Sequence, residues 1–113
     1  MTYKLYTLNG EFVGEEKFLL SKDFTGIAKD TYFKSIYYYK DGQLHREDGP
    51  ATEHNSGKKY WLICGKLHRL DGPACEWDER GYCAWFINNK QINCGSNEQF
   101  LFLVDIMRLK GLI

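Results

Sequence analysis

Two clusters of side chains in this chain have the types and spacing that chemistry needs. His45, Arg46 and Asp48 lie within four residues, and His68, Arg69 and Asp71 repeat the set 23 positions later. A His–Asp pair can act as a general base. Arginine presents a planar fork of donors that grips a carboxylate or a phosphate with two hydrogen bonds. Hydrolysis would also need a nucleophile or a metal in one asymmetric cluster, and none stands near either set at meaningful spacing. Two readings of the six residues therefore compete. In the first, Arg and Asp, two apart, clamp a corner of the chain while His hydrogen-bonds a neighbouring backbone carbonyl. In the second, the stacked His, Arg and Asp line a ligand site. His54, next to Asn55, Ser56 and Gly57, reads as a surface residue.

The frame that carries these residues is an internal repeat, which has to be found before any fold is assigned. Residues 42–51 read GQLHREDGPA and residues 65–74 read GKLHRLDGPA, identical at eight of ten positions. An aromatic strand precedes each copy, at 36–40 and 59–63, and similar strands lie at 4–8 and 83–87. A two-residue turn follows each: Asn9-Gly10, Asp41-Gly42, Cys64-Gly65 and Asn88-Asn89. Such pairs favour hairpins because both central residues must take positive φ. Four hairpins are expected, of which the middle two carry the full LHRxDGPA tail; degenerate end copies suit a repeat array. Within the motif, Gly72 is expected to supply a backbone conformation closed to other residues, and Pro73 to open a new strand segment.

Tyr6, Tyr38, Trp61 and Trp85 are equivalent, and alternation puts them on one face as a core stripe. Tyr37, Tyr39, Tyr60, Leu62 and Phe86 occupy the other face, where a partner, a second subunit or a ligand would cover them. Both rows are candidate binding residues, since an aromatic platform can stack a base or a peptide. The segment 18–32 reads as a connecting loop with one helical turn. Ser96-Asn97-Glu98-Gln99 is a capping box, followed by an apolar helical face of Phe100, Leu103, Val104 and Met107, which Phe102, Ile106 and Leu109 widen. Lys110 and Gly111 suit a helix end. The expected architecture is one mainly β (α+β) domain over 1–113. Residues 1–35 give a degenerate first hairpin and a loop, 36–93 the hairpin repeats, and 96–111 a helix capping a twisted antiparallel sheet with bent strands. The wide apolar face of that helix predicts a homo-oligomer.

Composition excludes several functions. Fifteen basic and fifteen acidic residues balance, so neither the basic face of a nucleic-acid binder nor the acidic excess of a DNA mimic is present. The longest apolar run, residues 100–104, is too short to cross a bilayer, and the N-terminus has no signal-peptide core, which predicts a cytoplasmic protein. Cys64, Cys75, Cys83 and Cys94 are widely spaced with no CxxC pair. They read as buried or half-buried free thiols rather than a zinc site or a disulfide framework. No metal or other cofactor is expected.

The segment 61–74, WLICGKLHRLDGPA, together with its partner copy from Tyr38, resembles a group of small repeat proteins of tailed bacteriophages and some large viruses. Their tandem units read W-x-x-x-G-x-L-H-R-x-D-G-P-A, and they are distantly similar to MORN β-hairpin repeats. The resemblance spans roughly residues 36–93; the unit from Trp85 departs from the pattern after Lys90. It implies no enzymatic activity. It implies a virus-encoded accessory protein made in a bacterium, and small phage proteins of this kind modulate the host. The expectation is thus a non-catalytic binder of a host protein, plausibly a defence factor in the host cytoplasm. The alternative is a sponge for a nucleotide immune signal, with Arg46 and Arg69 on phosphates and Tyr or Trp stacking the base. A small hydrolase using His and Asp is a third.

Overall fold

The structure, a computed structural model, describes residues 2–17, 23–77 and 80–113. Among them the chain forms β1 (Tyr3–Tyr6), β2 (Phe12–Glu16), β3 (Gly26–Asp30), β4 (Ile36–Lys40), β5 (Gln43–Leu44) and β6 (Thr52–Glu53). There follow β7 (Lys59–Tyr60), β8 (Leu62–Ile63), β9 (Lys66–Leu67), β10 (Cys75–Glu76), β11 (Cys83–Ile87), β12 (Lys90–Ile92) and α1 (Asn97–Leu109). Every pairing is antiparallel. The main sheet runs β12-β11-β10-β7-β6-β4-β3-β1-β2, with β5 on β4, and β8-β9 form a separate hairpin. This is the expected mainly β architecture with one C-terminal helix.

The turn chemistry explains the hairpins. Asp41-Gly42, Cys64-Gly65 and Asn88-Asn89 all take positive φ at both positions, which matches the strands' right-handed twist. The first hairpin differs: only Gly10 is in that region, and its N–H donates to the Thr7 carbonyl at 2.9 Å across a longer loop. Two expectations need correction here. The segment 18–32 is not simply a loop, because β3 lies within it, between β1 and β4; its residues 18–22 fall outside the described residues. The strand expected over 59–63 breaks at Trp61. Trp61 donates its N–H to the Ala74 carbonyl in the main sheet at 2.7 Å, while its carbonyl accepts from His68 N–H in the next hairpin at 3.0 Å. Tyr38 does the same with Ala51 (2.8 Å) and His45 (3.0 Å). At Trp61 the strand leaves the main sheet for the separate β8-β9 hairpin, whereas β4 runs unbroken through Tyr38, paired with β3 as far as Tyr39, and β5 folds back onto it.

Cross-strand register runs Leu5, Ala28, Tyr37, Thr52, Tyr60, Cys75, Ala84 along one row of the sheet. Ala28 in this row, and Ala51 and Ala74 next to it in the chain before Thr52 and Cys75, are fully buried. At the far end α1 seals Ile87, Phe100 and Val104 with Trp85, Leu70, Ile92 and Met107 around them. The helix begins with half of the expected capping box, Ser96 Oγ accepting from Gln99 N–H at 3.2 Å; Gln99 Oε1 reaches back one residue further than the box requires and accepts from Gly95 N–H at 2.6 Å. It ends at Gly111 (φ 68), with Leu112 N–H donating to the Met107 carbonyl. No helix among the described residues is long and apolar enough to cross a membrane.

Candidate functional site

The two motif copies form equivalent clamps. Arg69 Nε donates to Asp71 Oδ1 at 2.8 Å, and its Nη1 donates to the Pro73 carbonyl at 3.1 Å and to Glu76 Oε1 at 3.3 Å. The same guanidinium lies over the Trp61 ring, 3.7 Å from its centroid. Arg46 repeats this with Asp48 (3.1 Å), the Pro50 carbonyl (3.2 Å) and the Tyr38 ring (4.0 Å). Each arginine thus folds back on the aromatic residue of its own unit, combining cation–π attraction with charge-assisted hydrogen bonds.

That packing explains the motif glycine differently from expectation. Neither Gly49 nor Gly72 is among the positive-φ glycines. A Cβ on Gly72 would lie 2.7 Å from Arg69 Cζ, and one on Gly49 would lie 2.7 Å from Arg46 Cζ. Glycine is required by the space the guanidinium occupies, not by backbone conformation.

The histidines join one unit to the next. His45 Nδ1 accepts the Cys64 N–H at 2.9 Å, and His68 Nδ1 accepts the Asn88 N–H at 3.1 Å. The partner is therefore an amide of the following turn, not the carbonyl expected. Leu44 and Leu67 carbonyls accept from Gly65 and Asn89 N–H, at 2.8 and 2.9 Å, in the same seam. Burial pushes the His68 imidazole below its ordinary value, which agrees with a neutral ring accepting at Nδ1. His45 Nε2 faces Glu47 Oε1 at 3.4 Å. Each Nδ1 lone pair that a general base would use is already holding an amide.

The stripe of Tyr6, Tyr38, Trp61 and Trp85 has no common cover. Only Trp85 meets the helix, 6.2 Å from Phe100 between ring centroids. Tyr38 and Trp61 lie under their arginines, and Tyr6 has Lys29 Nζ 4.8 Å from its ring centre. The cysteines are free thiols. Cys75 is buried and Cys83 and Cys94 half-buried, but Cys64 is exposed at its turn, contrary to expectation.

The opposite face stays open and holds a feature that sequence reasoning missed. Rings meet edge to face across three strands: Tyr3 with Tyr37 at 6.4 Å, Tyr37 with His54 at 6.0 Å, and His54 with Tyr60 at 5.7 Å. Tyr37, His54 and Tyr60 floor a groove of about 660 Å³ that Tyr32, Phe33, Asn55, Ser56 and Lys58 also line. Tyr32 and Phe33 are 73% and 60% exposed. The buried Asp30 carboxylate accepts both their N–H groups, at 2.8 and 3.0 Å, and the two rings pack at 4.8 Å. His54, expected to be an ordinary surface residue, sits in this groove with its Nδ1 3.2 Å from Ser35 Oγ. Burial raises the hydroxyl pKa of Tyr37, as it does that of Tyr39, which packs on Phe24 at 5.9 Å. No described carboxylate hydrogen-bonds the His54 ring, and Ser35 is buried, so the pair lacks the third member that orients an activated serine.

A second pocket of about 590 Å³ lies where Leu8, Ile27 and Lys40 meet Arg46, Glu47 and Asp48. Its charges are mixed and its arginine is engaged. No group of three or more His, Cys, Asp or Glu among the described residues could hold a metal ion. Compared with protein-family models, with curated proteins and with solved structures, the chain finds no match.

Proposed function

We propose that the protein is a non-catalytic accessory protein, encoded by a phage, that binds and inhibits a host protein such as a bacterial defence factor. The observation that carries this reading is the open aromatic groove. Exposed Tyr32 and Phe33, whose backbone N–H groups the buried Asp30 accepts, stand beside a floor of Tyr37, His54 and Tyr60. Exposed aromatic anchors beside a concave floor are what protein-binding hot spots are made of, and tyrosine and phenylalanine have few rotatable bonds to immobilise on docking. An apolar side chain of the partner enters between Phe33 and Tyr60. The repeat residues support occupancy over turnover: Arg and Asp of each copy are spent on clamping their own unit, and His on joining it to the next. The phage origin rests on the LHRxDGPA resemblance alone. The nucleotide-sponge reading has less support, since each guanidinium it would offer to phosphate already lies on the ring it would offer to the base.

The test is a titration. A photo-crosslinking residue at position 33 identifies the host protein in cytosol, and the purified pair is then titrated. Inhibition should break at a fixed molar ratio with both proteins chemically intact. The Tyr32→Ala/Phe33→Ala variant should bind at least ~100-fold more weakly with an unchanged melting temperature, the size expected of two anchor residues. Inhibition at a hundredfold substoichiometric amount would show turnover and overturn the reading. A nucleotide retained in native mass spectrometry would replace it with the sponge.

A further inference from the structure

Three lysines that are far apart in the sequence meet at the N-terminal end of the sheet. Lys4 of β1 and Lys29 of β3 stand directly opposite each other in the ladder, which sets their Cβ atoms about 5 Å apart, and like charges so placed destabilise a sheet. Lys34, in the turn between β3 and β4, joins them around a concavity of about 320 Å³ that Tyr6, Thr31 and Ile36 also line. Its backbone takes φ 57, a conformation that costs a lysine more than it would cost glycine. Lys29 Nζ lies 4.8 Å from the centre of the Tyr6 ring, so cation–π attraction keeps this ammonium at the concavity.

The neighbouring carboxylates do not balance these charges. Among the described residues, no ion pair within 4.0 Å reaches Lys4, Lys29 or Lys34. That holds for Glu15 too, although it faces Lys4 in register on β2. Glu53, opposite Ile36 on β6, faces Arg46 at 3.9 Å. Asp30 is the one carboxylate lining the concavity; it is buried and accepts the Tyr32 and Phe33 N–H groups. Three positive groups against one negative leave a net charge of two at the site. We propose that the concavity binds a phosphate dianion, free or as the monoester of a small molecule. A phosphoryl group carries a charge of roughly −1.5 to −2 at neutral pH, which matches the excess. Lysine ammonium groups act on phosphate as point charges and need no bidentate geometry. A polynucleotide would need further cations along its path, and the balanced charge of the chain does not supply them. The bound anion also offsets the repulsion between Lys4 and Lys29, so binding stabilises the native state.

Titration of the full chain with inorganic phosphate and with glycerol 3-phosphate, at pH 7.5 and an ionic strength held constant with sodium chloride, tests the site. Amide chemical shifts of Lys4, Lys29 and Lys34 should move saturably, and the melting temperature should rise with ligand. The tighter of the two ligands tells free phosphate from an organic ester. Lys4→Gln, Lys29→Gln and Lys34→Gln should each raise the dissociation constant about fivefold, the size of one partly exposed charge pair, and the triple variant should lose saturation. Lys4→Gln without ligand should melt no lower than the wild type, which separates lost binding from lost folding. Shifts no larger than those in sodium chloride alone would overturn the proposal. Binding unchanged in the triple variant would also overturn it and mark an adventitious ion only. Tyr32→Ala/Phe33→Ala should retain phosphate binding, which separates this site from the partner groove.

Discussion

Gly72→Ala isolates what the motif glycine does. The new Cβ would stand 2.7 Å from Arg69 Cζ and 3.0 Å from its Nε and Nη1, closer than such atoms approach, so the guanidinium must leave its seat. It then loses the Trp61 face, a contribution of about 0.5–2 kcal/mol depending on desolvation. It also loses the Pro73 carbonyl bond, about 1 kcal/mol. The Asp71 pairing adds at most a few tenths, because Asp71 is exposed and surface ion pairs contribute little. Some of this returns as the arginine rehydrates, so the expected cost is about 2 kcal/mol, or roughly 6–10 °C in melting temperature for a domain of this size. Urea denaturation of four proteins, wild type, Gly72→Ala, Arg69→Ala and the double variant, completes the cycle. With Arg69 truncated the Cβ has room, and Gly72→Ala should cost under about 0.5 kcal/mol. An equal cost in both backgrounds would refute the steric account and return the glycine to a conformational role.

Two further outcomes follow from burial. The folded pKa of His68 lies below its unfolded value of 6.5, so the native state binds fewer protons than the unfolded one. The stabilisation is complete above pH 6.5 and is lost as pH falls through that value toward the folded pKa. Melting temperature should therefore drop between pH 7 and pH 5.5, and His68→Gln should flatten that slope; an unaltered slope would refute the assignment. Among the thiols, Cys64 is exposed, whereas burial lifts Cys75 to about 11. A disulfide reagent at pH 8 should modify Cys64 first and Cys75 only on unfolding, and Cys64→Ser should abolish the fast phase. Rapid modification of Cys75 in the native protein would contradict its placement.

The sequence by itself determined the elements whose signals are local. Asp41-Gly42, Cys64-Gly65 and Asn88-Asn89 fix hairpins because the turn demands positive φ at adjacent residues. Ser96 and Gln99 fix the start of α1, and the 23-residue offset announces equivalent units. Tertiary structure alone decided the rest. The space that makes Gly49 and Gly72 necessary is filled by a side chain whose path depends on where Tyr38 and Trp61 put their rings. The amides held by His45 and His68 belong to the following unit, some twenty residues on, so no spacing rule within the motif reveals them. β3 carries too short and weak an alternation to be read alone; it exists because β1 and β4 present open edges on either side. The groove joins Tyr32 and Phe33 to His54 and Tyr60 only after four strands have come into register. Helical periodicity places Phe102 and Leu109 opposite Phe100 and Val104, but which of the two sides meets the sheet is settled by packing against Trp85 and Ile87.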